Sequence, residues 1–211
     1  SLLGKRFVVA ILVYQVFSAM GSQLLDWMVF DRAAAIYTGA EELARVISIF
    51  TAALNGANLL FLALFAGPLL RRFGLRLGVN ANPLLVSGLV ATIALAALGG
   101  AAATVGLFLF VAASRIADIT LSDGMTRTSI NATYQALPLR DRLAVQATVE
   151  GVGVPIAIGS TGVILLVASA LGLGFTFIAL TSLALCLVWT AAGLALYRGY
   201  RERLVASLRQ R

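Results

Sequence analysis

The sequence predicts an all-α membrane protein with six transmembrane helices. Three observations point there. Hydrophobic residues make up 60% of the 211-residue chain and charged residues 12%, against about 45–50% and about 25% in soluble chains. The mean hydropathy is +0.96. The apolar residues also fall in six long Leu- and Ala-rich runs, without the period-two alternation of a membrane β-strand. So few charges cannot cover a water-facing surface, and the solvent of this chain is mostly lipid.

Each run supplies about the 20 apolar residues that a membrane crossing requires. The first covers about 7–28. Its polar residues Gln15, Ser18, Ser22 and Asp26 are spaced by three, four and four, so they share one helical face. The second, about 43–70, carries a similar stripe of Arg45, Ser48, Thr51, Asn55 and Asn58. The third, about 79–98, has no charge and has Pro83 near its start. The fourth, about 103–121, contains Ser114, Arg115 and Asp118 and is followed by Asp123 and Arg127. The fifth, about 144–171, has Gln146, Glu150, Ser160 and Thr161, with Gly151, Gly153, Gly159, Gly162 and Pro155. The sixth, about 175–197, has only Ser, Thr and Cys186 as polar groups. Helices one, two, four and five are thus marked, while three and six are plain. Intramembrane polar groups usually face a bundle interior or water, so the third helix of each three-helix unit is expected to face lipid.

The net charge of +7 is a topology signal. With six spans, Lys5, Arg6, Arg71, Arg72, Arg76, Arg127, Arg140, Arg142, Arg198, Arg201, Arg203, Arg209 and Arg211 fall on one side. The positive-inside rule makes that side, with both termini, cytoplasmic. No basic face with interleaved aromatics exists outside these loops, so a nucleic-acid partner is excluded. An intramembrane enzyme is disfavoured. The chain has no His and a single Cys, and Asp118 and Asp123, five apart, point to different helix faces. No metal site or cofactor is predicted.

Arg115 and Asp118, three apart, can pair on one face, either as a structural pair or in a substrate path. Glu150 is either a proton or cation site or the partner of Arg127 or Arg115. The glycines of the fifth helix serve either tight packing or a helix that bends and rocks against another unit.

The segment Gly67-Pro68-Leu69-Leu70-Arg71-Arg72-Phe73-Gly74-Leu75-Arg76 resembles the signature loop of major facilitator superfamily transporters, Gly-x-Leu-x-Asp-Arg-x-Gly-Arg-Arg. Gly67, Leu69, Arg72, Gly74 and Arg76 match, and Arg71 replaces the Asp of that family's conformational latch. A narrower resemblance is to bacterial relatives of the nucleotide-transporter (ATP:ADP antiporter) branch. It rests on Leu25-Asp26-Trp27, Ala40 to Ala44, Asn55, Arg127-Thr128-Ser129, Tyr134 to Leu139, Arg142 and Gln146 to Gly151. Gln146 stands where the nucleotide carriers have Lys and Glu150 where they have Asp. The further basic residues of that helix are absent, which argues against a polyphosphate substrate.

The resemblance implies the C-terminal six-helix half of a twelve-helix carrier, itself two inverted three-helix repeats, in a bacterial inner membrane. It implies a secondary transporter module working by alternating access on an unidentified small-molecule or lipid substrate. The alternative is a transport-inactive membrane sensor or scaffold coupled to a soluble regulatory domain. Expected partners are the bilayer, an N-terminal six-helix half or a second copy, and such a soluble domain. Candidate cavity residues are Gln15, Ser18, Ser22, Asp26, Asn55, Asn58, Ser114, Arg115 and Asp118. Candidate coupling or gating residues are Glu150, Arg127 and Gln146.

Overall fold

The structure is a computed structural model that describes the backbone of residues 2–209 and the side chains of residues 6–202 other than Arg140. Lys5, Arg140, Arg203, Arg209 and Arg211 of the predicted basic face lie outside the described side chains. Every element among the described residues is helical. The α-helices are α1 (Leu2–Ile36), α2 (Ala40–Phe61), α3 (Gly67–Leu98), α4 (Val105–Leu121), α5 (Arg127–Gln135), α6 (Leu139–Thr148), α7 (Val154–Ala170) and α8 (Phe175–Arg209). Five-residue π-helical turns, Leu62–Ala66, Ser122–Thr126 and Val149–Gly153, carry α2 into α3, α4 into α5 and α6 into α7.

Five continuous stretches are long and apolar enough to cross a membrane: Arg6–Ile36, Ala40–Leu98, Val105–Gln135, Asp141–Ala170 and Phe175–Glu202. The second is two rods, because Gly74 has φ 63° and ψ −158° in an otherwise helical run. A positive φ of this kind is open to glycine and strained for other residues. The limbs fold back on each other: a Cβ placed on Gly78 would lie 3.1 Å from Leu70, and Leu60, Phe61 and Phe65 share a cleft with Leu85. The chain is therefore a multi-pass helical membrane protein.

The helices outrun the apolar runs. The fourth rod continues past Leu121 to Gln135, and the first past Met28 to Ile36. The charges that truncate the hydropathy signal are paired in the structure, so they do not end the helix. Arg32, in the last turns of α1, donates to the Ala102 carbonyl (2.6 Å) and pairs with Asp31. Its guanidinium also lies 4.3 Å from the Phe175 ring. One side chain thus fastens the end of α1 to the turn before α4 and to the start of α8.

The core is built by α1, α3 and α8. Ile11, Tyr14, Leu24 and Met28 of α1 pack with Val86, Val90 and Ile93 of α3 and with Ile178, Trp189 and Leu196 of α8. Tyr14 and Trp189 meet edge to face at 5.9 Å. Spans three and six thus contribute one side each to the core. They keep one exposed side, with Leu84 and Leu95 on α3 and Leu187 and Leu194 on α8. The outer helices are α2, which has no buried residue, and α7, which buries only Ala157, Thr161 and Ala168. A charge-free span is as compatible with a core as with lipid, so composition alone does not separate the two. Span three is also less plain than its lack of charge implied, since Asn80, Asn82 and Ser87 are buried within it.

Pro83 illustrates how the backbone is satisfied. Proline has no N–H to give to the carbonyl four residues earlier, which is that of Val79. The Tyr14 hydroxyl takes its place, donating to the Val79 carbonyl at 2.9 Å. Thr190 of α8 donates to the Pro83 carbonyl at 3.0 Å, and Ser87 donates to the Cys186 carbonyl at 3.0 Å. A proline-loosened helix is held by its two neighbours.

Tyr14→Phe is expected to destabilise the bundle by about 1–3 kcal/mol, the cost of orphaning a buried carbonyl. Adding Pro83→Ala restores an N–H for that carbonyl and recovers part of the loss. Unfolding of the four-member mutant cycle in mixed detergent micelles measures this. Strictly additive losses would remove the link between the two residues.

Candidate functional site

Two polar features lie next to each other along α1. The deeper is an ion network on Arg115 of α4. Its guanidinium holds Asp26 of α1 with two parallel bonds, Nε to Oδ1 and Nη2 to Oδ2, each 2.6 Å. Nη1 donates to Asp118 Oδ2 at 2.7 Å and to the Ser22 hydroxyl. Ser22 in turn donates to Asp118 Oδ2 at 2.8 Å. Asn82 of α3 donates to Asp118 Oδ1 at 3.2 Å. Asp118 is buried, and the Arg115 side chain is 9% exposed. A lone charge there would be very costly, while a guanidinium fork against carboxylates is the geometry that offsets desolvation best. The network joins α1, α3 and α4. The Arg115–Asp118 spacing yields a true pair, and Asp26 is its unpredicted third member.

The second feature is a cleft of about 540 Å³, within the usual range for ligand pockets. Gln15, Ser18 and Ser22 line it from α1, Ser122 and Thr126 from a π turn, and Arg127 and Asn131 from α5. Gln146 of α6 and Glu150 of the next π turn close the other side. Ser22 belongs to both the cleft and the ion network. It sits near the middle of the Arg6–Ile36 span. Gln146 donates to both Glu150 oxygens at 3.3 Å. The buried Tyr134 hydroxyl lies close to Gln15 and Glu150. π turns frequently sit at functional positions because they re-aim the side chains that follow, and two of the three here bring residues to this cleft.

The predicted residues divide as follows. Gln15, Ser18, Ser22, Arg127, Gln146 and Glu150 come together at the cleft. Asp26, Arg115 and Asp118 form the network at its base and do not line it. Ser114 is buried and donates to its own helix, to the Phe110 carbonyl at 2.7 Å. Asn55 lies on the exposed surface of α2, and Ser48 and Thr51 of the same stripe bond their own backbone. Arg45, Ser48, Thr51 and Asn55 of the α2 stripe are exposed, and Asn58 at its end turns inward. Asn58 donates to Asp123 at 3.0 Å, and Asp123 pairs with Arg127 at 3.3 Å. Arg127 is therefore engaged by Asp123, while Glu150 is bonded by Gln146.

The signature segment is mostly helix. Gly67 and Leu69 lie in the first turn of α3, and only Gly74 leaves helical geometry. Arg71 and Arg72 are exposed, and Arg72 lies 5.5 Å from the Phe73 ring. Arg76 is exposed, and its carbonyl accepts from Asn80. Of the fifth-span glycines, Gly153 is packed against Leu12, while a Cβ on Gly151, Gly159 or Gly162 would meet nothing within 4 Å.

Sequence reasoning did not select Ser122, Thr126, Asn131 or Asn82. The first three continue the polar steps of Arg115 and Asp118 along the same rod, a periodicity hidden by ending the span at Leu121. Asn82 sits inside an apolar run, and only its place before Pro83 marks it. Among the described residues no group of three or more metal-ligating side chains gathers. No protein-family model, curated protein or solved structure matches this chain.

Arg115→Gln removes the one cation between two carboxylates and is expected to cost about 3–5 kcal/mol. Replacing the buried pair together, Arg115→Leu with Asp118→Leu, is expected to cost less than Arg115→Gln alone, as measured by denaturant midpoint in micelles. An equal or larger loss in the double variant would show that the pair adds net stability.

Proposed function

We propose that this chain is a secondary-transport module, a six-helix half of the major facilitator type working by alternating access, with the polar cleft as its substrate site. The observation that carries the reading is the convergence of Gln15, Ser18, Ser22, Arg127, Gln146 and Glu150, from three separate spans, on one cleft. Ser22, at the inner end of that cleft, is near the middle of the Arg6–Ile36 span, and carrier sites lie near mid-membrane. Ser22 is the connector. A substrate that hydrogen-bonds Ser22 competes with Asp118 and Arg115 for the same hydroxyl, which links occupancy to the packing of α1 on α4. Glu150, exposed to the cleft and bonded by the neutral Gln146, is the coupling or gating carboxylate.

The outward polar stripe of α2 and the open glycines of α7 support a further unit against these helices, either an N-terminal half or a second copy. The proposed setting is a bacterial inner membrane, with the arginine-bearing end and both termini cytoplasmic. A second reading, a transport-inactive sensor or scaffold tied to a soluble regulatory domain, draws on one observation. Arg71 stands in the latch position, and none of Arg71, Arg72 and Arg76 has an ion-pair partner among the described residues.

Uptake of labelled candidate solutes by proteoliposomes tests the first reading. Glu150→Gln and Ser22→Ala are expected to cut uptake by about tenfold or more, the worth of one charge-assisted hydrogen bond. No uptake of any solute, with ligand-dependent movement of α7, would favour the sensor. For the partner face, single cysteines at Asn55 and Gly159 in a Cys186→Ala background are expected to cross-link to the other unit. Labelling of both by lipid-phase probes alone, in a stable monomer, would count against a twelve-helix assembly.

A further inference from the structure

A second cleft lies between α3 and α8, on the outside of the bundle, and shares no residue with the polar cleft. It measures about 560 Å³. Its upper part carries Arg76, Arg198 and Arg201, and its lower part Leu84 and Leu194, with Tyr197 between. Leu84 and Leu194 are exposed, at 53% and 44%. Among the described residues no acidic side chain lines the cleft. None of the three arginines has an ion-pair partner among the described residues.

We propose that this cleft binds one anionic phospholipid. The argument is one of register along the helices. At 1.5 Å per residue, Leu84 lies about 12 Å along α3 from Arg76, and Leu194 about 10 Å along α8 from Arg201. The cations are therefore at the height of the phosphates at the arginine-bearing end, and the leucines are inside the hydrocarbon. Basic pockets between transmembrane helices at this level suit anionic head groups. The Tyr197 hydroxyl sits where interfacial tyrosines sit. Three unneutralised guanidiniums around one space repel each other, and a phosphodiester supplies the missing charge with several acceptor oxygens. Inorganic phosphate would meet the cations but leave the apolar floor empty, and a zwitterionic lipid would fill the floor but bring its own cation. This site stands independently of the transport reading, since it uses neither Glu150 nor Ser22.

Native mass spectrometry of the full chain in neutral detergent tests it, with dioleoylphosphatidylglycerol, dioleoylphosphatidylcholine and inorganic phosphate as probes. One phosphatidylglycerol is expected to be retained at least about tenfold better than phosphatidylcholine, given three arginines at the surface. The triple variant Arg76→Gln, Arg198→Gln, Arg201→Gln is expected to lower its retention to the phosphatidylcholine level. Leu84→Trp fills the apolar floor with all cations intact and is expected to lower it as well. Glu150→Gln leaves it unchanged, which separates this site from the proposed transport site. Equal retention of the two lipids, or displacement by inorganic phosphate, would overturn the proposal. Loss in the triple variant without loss in Leu84→Trp would overturn it too, since general surface attraction would then suffice.

Discussion

A guanidinium cannot lie inside a membrane protein unless several partners meet it at once, and Arg115 imposes that condition on this bundle. Its fork is planar, so Asp26 must present both oxygens in one plane from α1. Its remaining arm needs Asp118, and Asp118 in turn needs Ser22 and Asn82. These demands set the rotation of α1 and α3 about their axes and their height relative to α4. A slip of one residue in any of the three would leave a charge or an amide without a partner, at a cost of several kcal/mol in a medium with little water. One wall of the polar cleft inherits its shape from this arrangement, because α1 and the rod that runs from α4 into α5 are fixed beside it.

How far the site was legible follows from what local spacing can and cannot encode. Steps of three and four placed Gln15, Ser18, Ser22 and Asp26 on one face, and the structure has them there. Their division was not legible, because one face of a long helix meets different neighbours along its length. Gln15 and Ser18 meet the cleft, Asp26 meets Arg115, and Ser22 meets both. The α2 stripe marks a distinct face in the same way, but a stripe does not name what it faces, and all of this one except Asn58 is exposed. Ser122, Thr126 and Asn131, beyond Leu121, were missed for a different reason. Hydropathy treats each charge as a cost, while in the fold Asp118, Asp123 and Arg127 have partners on other helices or on the next turn. The π turns were also invisible, since an extra residue in one turn leaves no mark on composition yet rotates every later side chain.

The backbone follows the same rule as the side chains. The exposed Ser48, Thr51, Thr92 and Thr148 give their hydroxyls to the carbonyl four residues back. Thr190 and Ser87 instead bridge α3 and α8. The plain look of the third and sixth spans hid this, because a few buried hydroxyls and amides are enough to join two otherwise apolar rods. The same two rods, apolar toward each other and basic at one end, frame the outer cleft.

Gly74 has a consequence for how the chain is made. It is the single non-helical residue between Ala40 and Leu98, and without it those 59 residues would form a rod of about 88 Å, too long for any bilayer to accommodate upright. The two limbs therefore have to enter the membrane as a hairpin, with Arg71, Arg72 and Arg76 at its tip held back on one side. A side chain at position 74 would oppose the bend at the moment the second limb leaves the ribosome. Its first effect would be a fault of insertion, seen as misrouted or degraded protein, before any folded bundle existed to be destabilised.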